Sequence, residues 1–358
     1  MANESACGES DITQAVDGVL KDFVGDEVAA LLALDPALEP LTGAAMNAVF
    51  AGGKRMRPTF AYWGWRSVAG PSASQERVLP ALAALELLHT FALVHDDIMD
   101  GSPTRRGQLT AHRALAADHS TQGLRGDPAH FGVSSAILVG DLCLVWADKL
   151  MSRSAVAPHT LLRARAGYDV MRAETIAGQF LDVLGESARE WTLERALRTA
   201  QLKTAGYTVT RPLQFGAALG DPAGRAVSAA FERYGQAVGV AFQLRDDLLG
   251  LYGDPSATGK PVGEDLAAGK PTVLLELARS LADPAQSAEL DKLLSDTENL
   301  DVARVSRLIQ ETGATIRLDQ MISQRVAIAL EVLDRAPIDA CARAPLGRLA
   351  AAAAWRNT

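Results

Sequence analysis

The sequence predicts an all-α protein, and three observations carry that reading. Alanine and leucine dominate the 358 residues, β-branched alternating runs are scarce, and apolar positions recur at intervals of three and four rather than two. A first amphipathic helix is expected over 11–34, where Val16, Val19, Leu20, Phe23 and Val24 fall on one stripe. The longest clean pattern runs from 74 to about 100 and is supported by Val78, Leu82, Leu85, Leu88, Ala92 and Val94. Residues 131–151 are apolar nearly all round, which predicts a buried helix. Two more long helices are expected over 161–184 and 224–251, with two shorter ones over 191–220 that meet near Thr204. Residues 273–354 read as a run of shorter helices punctuated by Asp283-Pro284, Gly313, Pro337 and Pro345. No strong linker or fixed-period repeat divides the chain. One helical domain is therefore expected over 11–358, behind a disordered tail over 1–10.

Composition narrows the function. A chain that is 48% hydrophobic and 22% charged can bury a large core, which excludes global disorder. Acidic residues outnumber basic ones 43 to 35, for a net charge of −8, and there is no long Lys/Arg run. Nucleic acid and anionic membrane surfaces are therefore poor partners, and an anionic ligand needs a local basic pocket. Cys7, Cys143 and Cys341 are too few and too scattered for a disulfide framework or a zinc cluster, so a reducing, cytoplasmic setting is expected. Residues 1–16 are mostly polar and acidic and lack the apolar core of a signal peptide. No uninterrupted apolar run reaches bilayer-spanning length, so no stable membrane insertion is expected.

Two acidic clusters end two of the long helices. In His95-Asp96-Asp97-Ile98-Met99-Asp100, Asp96 and Asp100 are four apart and share a helix face. Three carboxylates within five residues repel one another, and the macrodipole disfavours negative charge at a helix C-terminus. Something cationic should offset them. Hard oxygen ligands on one side of a helix suit Mg²⁺, which keeps several waters and shares substrate phosphates. Taken alone, the cluster is equally compatible with a solvated acidic helix end. The second cluster is Gln243-Leu244-Arg245-Asp246-Asp247. Gly250 stands where an acid four after Asp246 would complete it, so Asp246 is the expected ligand, with Asp247 in support.

Basic groups complement the acids. Gly52-Gly53-Lys54-Arg55-Met56-Arg57-Pro58 sets three cations beside two glycines, which let backbone approach a ligand closely. Arg105-Arg106 follows the first acidic cluster, and Lys203-Thr204, Lys260 and Lys270 add further cations. Guanidinium forks suit diphosphate oxygens. Any one of these is most simply a solvated face; the combination is far sharper, with carboxylates for Mg²⁺ and separate cationic loops for phosphates.

At this point the residues resemble the isoprenyl diphosphate synthases, or trans-polyprenyl synthetases. The resemblance is carried by the 52–58 turn, by His95 to Asp100, and by Arg105-Arg106-Gly107. It continues in the same order through Gly178-Gln179-Phe180-Leu181-Asp182, Lys203-Thr204, Phe242 to Asp247 and Gly259-Lys260-Pro261. It covers about residues 50–271. It implies an all-α homodimer with a deep helix-lined cavity, using isopentenyl diphosphate and an allylic diphosphate. By the same resemblance Asp96 and Asp100, with Asp97 nearby, hold two Mg²⁺ ions and Asp246 a third. Arg105, Lys203, Gln243 and Lys260 contact the allylic diphosphate, and Thr204 steadies the allylic end. Gly53, Lys54, Arg57, His89 and Arg106 bind the diphosphate of isopentenyl diphosphate. The groups expected to carry the chemistry are Asp96, Asp97, Asp100, Arg105, Lys203 and Asp246. Gln179 and Asp182 are expected to support the site from behind. Two departures stand out: Gly250 replaces the last acid of the second motif, and the C-terminus lacks the basic tail of some relatives.

Product length is expected to be set by the helix below Asp96. The growing chain must run down the apolar turns, and one turn of about 5.4 Å is close to one isoprene unit. Ala92 and Leu88 are the positions that helical arithmetic selects. Phe91, five before Asp96 with a small neighbour, resembles the geranylgeranyl-forming type, so a C20 product is expected, with C15 farnesyl diphosphate as the alternative. A terpene cyclase shares the architecture but has no use for Lys54, Arg57 and Arg106. A silent subunit of a heteromeric synthase should have lost ligands, and only Gly250 hints at that.

Overall fold

The computed structural model describes residues 9–70, 72–188, 190–220, 224–254, 262–295 and 299–355. Helices α1 (Glu9–Leu34), α2 (Glu39–Phe50), α3 (Met56–Ala69) and α4 (Leu79–Met99) lead to a short antiparallel pair, Thr104–Arg105 with Gln108–Leu109. Then come α5 (Ala111–Thr121), α6 (Pro128–Ser152), α7 (Pro158–Ser187) and α8 (Leu193–Thr199). A wide helical stretch, Ala200–Thr210, joins α8 to α9 (Arg211–Leu219), and α10 (Gly224–Tyr252) follows. The remainder is α11 (Glu264–Ala267), α12 (Val273–Leu281), α13 (Pro284–Leu294), α14 (Val302–Glu311), α15 (Ala314–Arg335) and α16 (Ala340–Trp355). The all-α class expected from the periodicity is the class observed.

Two hydrophobic clusters hold the bundle, and α10 spans both. Its first half places Phe231, Tyr234 and Val238 in a cluster with α1, α3, α4 and α6. Its second half places Val240, Leu244 and Leu248 in a cluster with α12, α14 and α15. Residues near the middle of α10 thus border the space between the two cores. The stretch 200–210 is wedged between α7 and α10. A Cβ on Gly178 would lie 2.4 Å from the Lys203 nitrogen, and one on Gly239 would lie 2.4 Å from the Ala205 Cα. Only glycine at both positions permits this approach. It is what brings Lys203, Thr204 and Tyr207 to the central cavity. A wide turn inside a helical run is a frequent mark of a functional site, and it coincides with the junction expected near Thr204.

Several expectations need correction. Helix α6 is not buried all round: Leu138 and Val145 are exposed, because among the described residues no other element covers that face. Contrary to the sequence reading, α6 is by length and composition apolar enough to cross a bilayer, although here it packs along α4 and α5. Helices α2, α3 and α5 were not anticipated. Helix α3 begins directly after Arg55, whose φ of 47° is left-handed. Arg55 is buried there by Asp17 at 2.8 Å and Glu86 at 2.9 Å. Among the C-terminal helices α15 is long, at 22 residues. Residues 9 and 10 of the expected tail belong to α1, and 1–8 lie outside the described residues. Trp63 and Trp65 are core residues.

Candidate functional site

A cavity of about 440 Å³ lies between α4, α7, the 200–210 stretch, α10 and the 270–273 turn. The last turn of α4 supplies Asp96 and Asp100. Asp100 caps that helix with its own N–H, 2.8 Å from the Asp96 carbonyl. Lys203 Nζ lies 3.0 Å from Asp96 Oδ1 and 2.7 Å from Asp182 Oδ2. Lys270 Nζ lies 2.8 Å from Asp100 Oδ2 and 3.5 Å from Asp182 Oδ2. Arg105 Nη2 approaches Asp96 Oδ2 at 3.5 Å. The repulsion inferred from the sequence is thus offset by three cations from three other segments.

The two aspartates differ electrostatically. Burial works against the Asp96 carboxylate, but Lys203, Arg105 and Lys270 outweigh it and hold its pKa below the usual value. Burial and the neighbouring Asp96 push Asp100 above its usual value, against the pull of Lys270. Lys203 and Lys270 are both raised: burial opposes their charge, and the facing carboxylates more than compensate. These ammonium groups stay charged and can bind an anion.

The donor set fits Mg²⁺. Asp100 Oδ1 is buried and has no hydrogen-bond partner. Asp182 and Glu186 place further carboxylate oxygens within 4.8 Å of an Asp100 oxygen, with Lys270 Nζ among them as the resident cation. An unpaired carboxylate oxygen amid hard oxygen donors is what a magnesium site requires.

Asp97 has a different role from the one expected. It is buried, and it accepts the Arg105 Nε–H at 2.6 Å. It does not border the cavity but orients Arg105, which does. Asp247 borders the cavity, and its oxygens are also engaged in the fold. Its Oδ2 accepts the N–H groups of Val273 at 3.0 Å and Leu274 at 3.4 Å, capping α12. Its Oδ1 accepts from Gln243 Nε2 at 2.9 Å, and Gln243 Oε1 accepts the Thr204 hydroxyl at 2.6 Å. Burial pushes the Asp247 carboxyl up to about 7. Asp246 borders the cavity. The gap at Gly250 is partly filled from elsewhere: a Cβ there would stand 3.6 Å from Asp265 Oδ2, and Asp265 also borders the cavity. Lys260 lies outside the described residues.

A second polar region lies seven residues back along α4, about 10 Å by helix rise. Arg57 Nη2 donates to Thr208 Oγ1 at 2.9 Å, and its guanidinium sits 4.0 Å over the Tyr207 ring. Its Nε is buried without a partner. His89 Nδ1 meets the Tyr207 hydroxyl at 3.3 Å. Burial, then Arg57, Arg106, Arg105 and Arg55, drive the His89 pKa well below its ordinary value, so the imidazole is neutral and four guanidinium groups act on it. The Arg106 guanidinium packs against Gly53, 3.2 Å from where a Cβ would be. Lys54 is exposed and does not border the cavity. Arg57, His89 and Arg106 are therefore brought together, with Gly53 against Arg106; Arg57 and His89 border the cavity, while Arg106, Gly53 and Lys54 do not.

Below Asp96, Ala92 and Leu93 border the cavity. Leu88 is buried in the core, and Phe91 turns its ring edge-on to His95 at 4.8 Å, so neither of these expected length-setting residues borders the cavity. Of the two positions that helical arithmetic selects, Ala92 borders the cavity and Leu88 does not. Tyr207 and Asp265 were missed, Lys270 was named only as a further cation, and Asp182 only as support. One signal was legible: Asp182 and Glu186 repeat on α7 the four-residue spacing of Asp96 and Asp100.

Comparison with known proteins agrees with this geometry. The sequence pattern of the polyprenyl synthetase family matches residues 39–312. The chain is 32% identical over 300 residues to the geranylfarnesyl diphosphate synthase of Aeropyrum pernix, covering 83% of this chain and 88% of that one. It is 34% identical over 256 residues to the geranylgeranyl diphosphate synthase of Mycobacterium tuberculosis, covering 71% and 68%. The crystal structure of geranylgeranyl pyrophosphate synthase from Corynebacterium glutamicum, complexed with isoprenyl diphosphate and magnesium, superposes with a TM-score of 0.90 at 39% identity. That match covers 96% of this chain and 98% of that one.

Proposed function

We propose that this chain, which belongs to the polyprenyl synthetase family and is a trans-prenyltransferase, makes geranylgeranyl diphosphate (C20). It would do so by adding isopentenyl diphosphate to dimethylallyl, geranyl or farnesyl diphosphate. The observation that carries the reading is the pairing, in one cavity, of a carboxylate–lysine region with a separate arginine region about 10 Å along α4. One region suits a metal-bound diphosphate and the other a diphosphate alone.

Asp96, Asp100 and Asp246 would hold Mg²⁺, three ions per site in this reading. When bound, Mg²⁺ supplies charge neutralisation for the leaving diphosphate. Lys203, Lys270 and Arg105 bind that diphosphate and stabilise its growing negative charge as the allylic C–O bond breaks. Arg105 is fixed for this by Asp97, and Lys203 by Asp182. Arg57 and Arg106 seat the diphosphate of isopentenyl diphosphate, with the neutral His89 beside them. The C3–C4 double bond then attacks the allylic carbocation, and the C2 proton leaves to the released diphosphate. Ala92, Leu93, Ala200 and Phe242 give the cavity apolar walls that exclude water, which would otherwise quench the cation.

The C20 product is supported by Ala92, whose methyl group leaves the path down α4 open one turn below Asp96. A homodimer is supported by the uncovered apolar side chains of Leu138 and Val145 on α6 and Leu162 and Ile176 on α7. The test is incubation with Mg²⁺, isopentenyl diphosphate and each allylic primer, followed by chromatography of the dephosphorylated products. A C20 alcohol is expected. Arrest at C15 would make the protein a farnesyl diphosphate synthase. A hydrocarbon formed without isopentenyl diphosphate would make it a cyclase.

A further inference from the structure

Lys270 is held rigidly up to its side chain. Its N–H donates to the Asp265 carbonyl at 2.8 Å, and its carbonyl accepts from Thr272 at 2.9 Å. The preceding Gly269 takes a φ of 72°, and the following Pro271 packs on α7 where Gly185 leaves room for it. A Cβ on Gly185 would come 2.9 Å from the Pro271 Cγ. The end of α7 and the 269–272 turn are thus locked together, and only the four-carbon stem of Lys270 is free to move.

That stem carries its ammonium into a triangle of carboxylates. Lys270 Nζ hydrogen-bonds Asp100 Oδ2 at 2.8 Å and lies 3.5 Å from Asp182 Oδ2. The third corner is Glu186, with Oε1 3.6 Å from Nζ. This is beyond hydrogen-bond length, and Oε1 is buried with no hydrogen-bond partner at all. Glu186 Oε1 is therefore an ion-pair partner of Lys270 that takes no hydrogen bond in the present arrangement, an acceptor held in reserve. The sequence analysis assigned Glu186 no role, and it does not border the cavity.

We propose that Glu186 is a positioning residue that receives the Lys270 ammonium when Asp100 turns to a divalent cation. The inference rests on the metal-dependent reading above and deepens it. A divalent ion on Asp100 repels the ammonium that now neutralises it. Asp182 Oδ2, 3.5 Å from the ammonium, is already engaged by Lys203 at 2.7 Å, so without Glu186 Lys270 would have to share that oxygen or remain on Asp100 in competition with the ion. Glu186 lies within a small stem movement, and its Oε1 is already buried. Ion binding then becomes an exchange of partners, in which Asp100 passes from Lys270 to the ion and Lys270 passes from Asp100 to Glu186. No charge is stranded, and the ammonium stays beside the diphosphate position.

The test is a double-mutant cycle read by Mn²⁺ binding, using electron paramagnetic resonance on the full chain without substrates. Glu186→Gln should weaken Mn²⁺ binding about tenfold, the scale of one charge-assisted hydrogen bond. Lys270→Met should tighten it, because the competing cation is gone. In the Lys270→Met background Glu186→Gln should then have less than about a twofold effect. Glu186→Asp, which keeps the charge, should recover part of the affinity and guards against a misfolded Gln variant. An equal loss from Glu186→Gln in both backgrounds would show that Glu186 acts as a ligand or a bulk charge, and would overturn the proposal. So would no loss in either. A wild type that binds Mn²⁺ but extends no allylic diphosphate would overturn the proposed function, while the cycle would still decide the role of Glu186.

Discussion

Replacing Asp100 by Asn separates a functional carboxylate from a structural one. The substitution deletes the 2.8 Å ion pair with Lys270, but Lys270 retains Asp182 at 3.5 Å and Glu186 at 3.6 Å. It also deletes the repulsion from Asp96. Burial and Asp96 raise the Asp100 pKa, so the fold disfavours the charge that Asn removes. The free protein should therefore change in stability by no more than about 1 kcal/mol. With unfolding entropy near 2.1 cal/mol/K per residue, 358 residues give about 0.75 kcal/mol/K, so 1 kcal/mol moves Tm by little more than about 1 °C. Ligand behaves differently. Mg²⁺ with a bisphosphonate at about a hundred times Kd stabilises the wild type by about 2.7 kcal/mol, or about 4 °C. In Asp100→Asn most of that shift should vanish. Paired thermal melts with and without ligand read both numbers. A variant that melts several degrees lower when free, yet keeps the full ligand shift, would refute the reasoning and make Asp100 a structural residue.

Arg57→Ala should raise KM for isopentenyl diphosphate by about ten- to a hundredfold, the worth of a charge-assisted contact, and leave KM for the allylic primer nearly unchanged. Steady-state kinetics with each substrate varied in turn checks this, and equal effects would mean the two regions do not serve separate diphosphates. Ala92→Phe should shorten the product by filling the path below Asp96, whereas Phe91→Ala should leave its length unchanged, because the Phe91 ring packs on His95 away from the cavity; chromatography of the product alcohols decides both. His89 is held neutral by burial and then by Arg57, whereas the unfolded chain protonates it near 6.5. Its contribution to stability is therefore fully present above about pH 6.5 and is lost as pH falls, at up to about 1.4 kcal/mol per pH unit. His89→Gln should flatten that part of the stability profile measured by denaturant melts.

The long helices were legible because burial on one face leaves a period in the sequence. The expected 224–251 helix, for example, is observed as Gly224–Tyr252. Helix α3 was not legible, since its start depends on Arg55 being drawn inward by Asp17 and Glu86, residues 38 and 31 positions away. The same limit applies to the site. Asp96, Asp100, Lys203 and Arg57 could be selected because their residue types and spacing state a chemistry. Asp97 and Asp247 share that chemistry, yet Asp97 faces Arg105 and Asp247 faces the N-terminus of α12, and only the packing distinguishes them from Asp96 and Asp246. Lys270 comes from a turn whose place depends on Gly185 admitting Pro271, a contact across 86 positions that no local pattern encodes. Exposure of the outer face of α6 escaped because an apolar surface awaiting a partner and an apolar core have the same composition.

The account stands on one claim, that the carboxylate–lysine region and the arginine region of a single cavity join two diphosphate substrates. Its most direct test follows isotope-labelled isopentenyl diphosphate and farnesyl diphosphate by mass spectrometry, with Mg²⁺ and then with EDTA. With Mg²⁺ the account predicts a C20 diphosphate carrying one labelled C5 unit, one diphosphate released per unit added, and neither with EDTA. Unreacted farnesyl diphosphate in the presence of Mg²⁺, or label appearing in product despite EDTA, would contradict it.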